Sequence, residues 1–64
     1  MTVITEEPAI GSVVLDYMDD AWQRRDDGRW YCAIDSDEYS RWEWRTIIEH
    51  LCPITLVHDA KEAV

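Results

Sequence analysis

Cys32, His50, Cys52 and His58 are the residue types that bind zinc, and His50 and Cys52 stand two apart. Their spacing matches no standard zinc site. There is no C-x-x-C pair, and residues two apart on a helix point about 160 to 200° away from each other. The four read instead as ordinary parts of a fold. Cys32 is a buried sheet residue and Cys52 a small residue before a proline. His50 sits near a helix C-terminus and His58 at a strand end. A Cys32–Cys52 disulfide would need an oxidising compartment. Residues 35–37 (Asp-Ser-Asp) begin like a calcium loop, but that pattern then asks for glycine where Ser40 stands and glutamate where Thr46 stands. Neither a nucleophile motif nor a glycine-rich phosphate loop is present. Paired carboxylates for acid–base catalysis need an enclosed pocket, which so short a chain has little interior to form. The expectation is a non-enzymatic protein with no metal and no other cofactor.

The residues that could do other work are surplus aromatic and charged ones. On a helix spanning 41–51, Trp42 falls about 160° from the centre of the apolar stripe, which leaves this tryptophan partly exposed. Tyr17, Met18 and Tyr31 are further candidates, with Arg25 and Arg29 beside Tyr31 on one side of a hairpin. Exposed aromatic residues and arginines are the usual anchors of protein interfaces. The competing reading is that Trp42 folds back to cover its own small domain.

The element that must position these residues is the stretch 40–58, a capped amphipathic helix stopped by a proline and followed by a strand. Ser40 and Glu43 form a capping box, with Tyr39 and Trp44 as a hydrophobic staple. Trp44, Ile47, Ile48 and Leu51 recur at i, i+3, i+4 and i+7, a stripe that must be buried. Arg41, Arg45 and Glu49 fall on the wet side, the last two spaced to pair. Pro53 ends the helix, and residues 54–58 have strand composition.

Earlier in the chain, residues 1–9 are read as a flexible lead-in. Residues 13–15 form a run too apolar for a strand with one wet face, and so belong inside the sheet. The DYMDD run at 16–20 is a turn. Residues 21–34 are a hairpin around Asp26-Asp27-Gly28. A two-residue turn would divide the large apolar residues between faces. A three-residue turn with Gly28 left-handed pairs Trp22 with Cys32 and Arg24 with Trp30. That register puts Trp22, Trp30, Cys32 and Ile34 on one face and Gln23, Arg25, Arg29 and Tyr31 on the other. It also sets Arg24 beside Trp30 for a cation–π contact. Residues 35–38 link to the helix. The expected fold is a small α+β domain at residues 10–59, β-β-β-α-β, with a mostly antiparallel sheet, one amphipathic helix on one face and a tail at 60–64. A crossover helix would return the fourth strand parallel to the first and beside it, giving the order 4-1-2-3.

At 64 residues the chain has room for one domain. A hydrophobic content of 47% and 4 tryptophans argue for folding despite a net charge of -8. There is no long apolar run and no signal-peptide pattern, so a cytoplasmic location and no membrane contact are expected. The acidic balance opposes direct nucleic-acid binding, and it suits a basic protein partner that holds phosphate arrays.

The runs Ile10-Gly11-Ser12-Val13-Val14-Leu15-Asp16 and Ala21-Trp22-Gln23-Arg24-Arg25-Asp26-Asp27-Gly28-Arg29-Trp30-Tyr31-Cys32, the tryptophan-bearing helix and Cys52-Pro53-Ile54-Thr55-Leu56-Val57-His58 resemble small uncharacterised proteins of actinobacteria and their bacteriophages. The likeness covers most of residues 10–58. Such proteins tend to carry glycine before the proline, where this chain has Cys52. The resemblance implies a fold and a provenance and brings no catalytic residues. Together with the charge and size, it leads to an expected phage accessory protein that binds a host or phage protein. The alternatives are a self-associating homodimeric module and, more narrowly, a DNA-mimic inhibitor.

Overall fold

The computed structural model describes residues 2–33 and 41–61. Ile34, residues 35–38, the Ser40 cap and its Tyr39 staple, and residues 62–64 lie outside them. Strands β1 (Thr2–Ile4), β2 (Val13–Leu15), β3 (Ala21–Arg24) and β4 (Trp30–Cys32) are followed by helix α1 (Trp44–Leu51) and strand β5 (Ile54–His58). They form a five-stranded sheet in the order β1-β5-β2-β3-β4, every pairing antiparallel. This is a small α+β fold with one helix on one face.

The β3–β4 hairpin pairs Trp22 with Cys32, Gln23 with Tyr31 and Arg24 with Trp30, the register that sorts apolar from polar side chains. Its turn needs Gly28 at φ 81, where a Cβ would be strained. Arg25 closes the loop, its N–H donating to Arg29 O and its carbonyl accepting from Gly28 N. Val14, Trp22, Trp30, Cys32 and Ile54 are buried beneath Ile47 of α1, with Trp44, Ile48 and Leu51 packed on the same cluster. The helix stripe is therefore the one its spacing dictates. Arg45 and Glu49 pair on the exposed side at 3.3 Å.

Four features differ from the sequence expectation. The 1–9 lead-in contains β1, which adds to the edge of β5 through Thr2↔Leu56 and Ile4↔Ile54. The helix begins at Trp44, with Glu43 as an extended N-cap that makes no side-chain cap bond, so residues 41–43 are not helical and Glu43 does not complete the expected capping box. Trp42 instead bridges Trp30 in antiparallel fashion, each backbone N–H donating to the other's carbonyl at 2.8 and 2.9 Å. That bridge explains the third difference, since β5 lies beside β2 as expected but runs antiparallel to it. The 41–43 segment has already turned the chain back along β4. The helix then climbs toward the Asp16–Asp20 end of the sheet, and β5 descends from there.

The fourth difference is at Arg24. Its guanidinium does not serve a cation–π contact with Trp30. It donates to Gly28 O at 3.0 Å and Pro8 O at 2.8 Å, and pairs with Glu7 at 3.3 Å. The other Glu7 oxygen accepts from Trp30 Nε1 at 3.0 Å. Glu7 thus straps the N-terminal segment across the hairpin, and Trp44 Nε1 adds a bond to Thr5 O.

Candidate protein-binding surfaces

The aromatic candidates separate into three places. Tyr17 and Met18 sit together on the turn from β2 to β3 and are 56% and 63% exposed. That turn is held from several sides. Asp16 is buried, and its Oδ1 accepts from Met18 N at 2.8 Å and Asp20 N at 3.0 Å. Its Oδ2 accepts from the indole N–H of Trp22 at 3.0 Å, tying the turn to the core. Tyr17 N donates to Leu51 O at 3.0 Å, which joins the turn to the end of α1. Asp19 takes φ 64, a left-handed conformation aspartate tolerates better than most residues. Exposed Asp19 flanks the pair, and Asp20 follows half-buried.

Tyr31, Arg25 and Arg29 lie at the opposite end of the sheet. The Arg25 guanidinium stacks over the Tyr31 ring at 4.2 Å, the cation–π contact of this hairpin. The Tyr31 hydroxyl donates to Asp27 Oδ2, and Asp27 Oδ1 accepts from Arg29 N at 2.9 Å. The hydroxyl bond, the Arg29 amide and the nearby Arg29 and Arg41 charges hold the Asp27 carboxyl below its ordinary 3.8. The same bond raises the Tyr31 phenol above its ordinary 10.0.

Trp42 belongs to neither surface. It is half-buried, packs on the core cluster and meets the Trp22 ring at a 48° tilt with centroids 5.3 Å apart. The partial exposure expected for it is found, although α1 starts at Trp44 and not at 41. Because the chain is extended there, the ring packs against the core while staying part-exposed, as in the reading that it covers its own domain.

Two residues that organise these surfaces were not singled out from the sequence. Asp16 reads there as one turn aspartate among several. Its bond to Trp22 crosses a reversal of the chain, so no local spacing reports it. Glu7 likewise looked like part of an exposed lead-in. Among the described residues no three His, Cys, Asp or Glu side chains gather as a metal would require. Cys32 is a buried free thiol on the inner sheet face, and Cys52 an exposed one at the helix exit. Shallow, open clefts lie between residues 3–9 and β5 and at the Arg25–Tyr31 corner. No helix among the described residues is long and apolar enough to cross a membrane.

The fold and these surfaces define a small α+β protein, with one helix among the described residues and two distinct exposed ends. No family model, no curated protein and no solved structure matches the chain.

Proposed function

We propose that the chain is a non-enzymatic protein-binding module that presents Tyr17 and Met18 to a protein partner. The observation carrying this reading is exposure combined with rigidity. Two large side chains that would gain by burial are held out on a turn whose backbone is fixed by a buried carboxylate and by the helix end. A pre-organised anchor loses little conformational freedom on binding. The flanking Asp19 and Asp20 favour a partner whose apolar pocket has a basic rim. The resemblance of residues 10–58 to small actinobacterial and phage proteins supports an accessory role, with a host or phage protein as the target. A DNA-mimic reading has less support, because Asp16, Asp27 and Glu7 are engaged in internal bonds.

The test compares wild type with the double variant Tyr17→Ala/Met18→Ala against the captured partner. Truncating anchors of this kind costs about 2 kcal/mol or more, about thirtyfold in Kd. A folded double variant that binds as wild type does would remove this surface from the account.

A further inference from the structure

The Lys and Arg residues of the chain are Arg24, Arg25, Arg29, Arg41, Arg45 and Lys61. The fold gathers them away from the turn that carries Tyr17 and Met18. Arg24, Arg25 and Arg29 belong to the β3–β4 turn at the other end of the sheet, and Arg41 precedes the Trp42 bridge to Trp30 beside them. Arg45, in the first turn of α1, shares a cleft with Arg29 and is paired with Glu49. Lys61 follows β5, whose last residue His58 pairs with Val13, at the end of β2 away from Asp16. Around Tyr17 stand exposed Asp19, half-buried Asp20 and the carbonyl end of α1, whose partial charge is negative. The exposed imidazole of His50 is the only basic side chain at this end among the described residues. The apolar surface here is also larger than the turn. The bond from Tyr17 N to Leu51 O sets Tyr17 against the helix exit, where Cys52 and Pro53 are exposed.

On the reading that Tyr17 and Met18 anchor a protein partner, we infer that the partner presents an apolar segment bearing Lys or Arg, and that Cys52 and Pro53 complete the contact. The apolar residues of that segment cover Tyr17, Met18, Cys52 and Pro53. Its cations meet Asp19, Asp20 and the carbonyl end of α1, with the Tyr17 ring as a further acceptor for a guanidinium or ammonium group. An acidic segment is opposed by the carboxylates beside Tyr17. It would find the cations of the chain only at the other end, where Glu7, Asp26, Asp27 and Glu43 already stand among them. The same segregation of charge turns the Tyr17 end toward an approaching cationic partner.

Panning a display library of random short peptides on the immobilised full chain tests it, with the selected peptides then synthesised and titrated by fluorescence anisotropy. Near-UV circular dichroism of the tryptophans checks the folding of each variant. The expected peptides combine Lys or Arg with apolar residues. They lose about thirtyfold in Kd against Tyr17→Ala/Met18→Ala and about fivefold against Asp19→Asn/Asp20→Asn. Asparagine tolerates the left-handed backbone at residue 19, so the second variant keeps the turn. A maleimide on Cys52, the exposed thiol, is expected to block the same peptides. Selected peptides without basic residues, or a Kd indifferent to Asp19→Asn/Asp20→Asn, overturn this inference and leave the Tyr17–Met18 surface standing. Basic peptides that bind the folded Tyr17→Ala/Met18→Ala variant as they bind wild type overturn the proposed function with it. A library that yields no binder overturns the inference, and a Cys52 adduct that binds unchanged overturns the part given to the helix exit.

Discussion

Asp16 does the work of several residues at once, since its two oxygens serve two backbone amides of the turn and the indole of a core tryptophan. Removing the carboxylate leaves the Trp22 N–H buried without a partner, so Asp16→Ala is expected to cost about 2–3 kcal/mol in urea unfolding. Asp16→Asn keeps one acceptor oxygen and is expected to cost less. Equal losses would place the effect in packing, not in the bonds. The Tyr31–Asp27 pair makes a separate prediction about pH. Asp27 is depressed in the folded state, so its contribution to stability is present above 3.8 and is lost as pH falls through its lower folded value. Tyr31 is raised, so its contribution is present below 10.0 and is lost as pH rises through the higher folded value. Ultraviolet titration should show one phenol ionising late, and Asp27→Asn should return it toward 10.0. A titration unchanged by that substitution would mean the bond does not form in solution.

Elements were legible in this sequence where one arrangement alone sorts the side chains. The hairpin register followed because only a three-residue turn puts Trp22, Trp30 and Cys32 on one face, and Gly28 supplies the left-handed residue such a turn needs. The stripe from Trp44 to Leu51 was equally explicit. The helix start was not, because helical spacing continued back through residues 41–43 is indistinguishable by pattern from an extended segment that bridges a distant strand. Tertiary pairing with Trp30 decided it, and with it the direction of β5 and the fate of Trp42. Strand β1 was missed for a similar reason, since it has little pattern of its own and its partner β5 lies at the far end of the chain. The candidate surfaces divide the same way. Exposure of Tyr17 and Met18 followed from their turn, whereas the Asp16 bonds that make the turn rigid depend on contacts no local spacing records. Trp42 now carries a stability prediction. Trp42→Ala removes a half-buried ring tilted against Trp22, and is expected to cost about 2–3 kcal/mol, read as a lower denaturation midpoint. A loss under about 0.5 kcal/mol, the range of surface substitutions, would contradict the inward placement.

At the scale of the whole molecule, charge and exposure are segregated. The helix-covered face closes the core, and the opposite face mixes Val13, Leu15 and Ala21 with Thr55, Gln23, His58 and Tyr31. The two ends differ, one with Tyr17 and Met18 on a fixed acidic turn, the other with Arg25 stacked on Tyr31. A 64-residue chain buries only about 60% of its unfolded surface, so any side chain kept out of its interior forgoes stabilisation that is scarce. That is why the rigid presentation of Tyr17 and Met18 is read as an anchor for a partner. The most direct measurement is affinity capture from an actinobacterial lysate, the source of partner that the proposed function implies, with wild type and folded Tyr17→Ala/Met18→Ala side by side, read by mass spectrometry. The account predicts a protein retained by wild type and lost with the variant. The same proteins on both, or none on either, would contradict it.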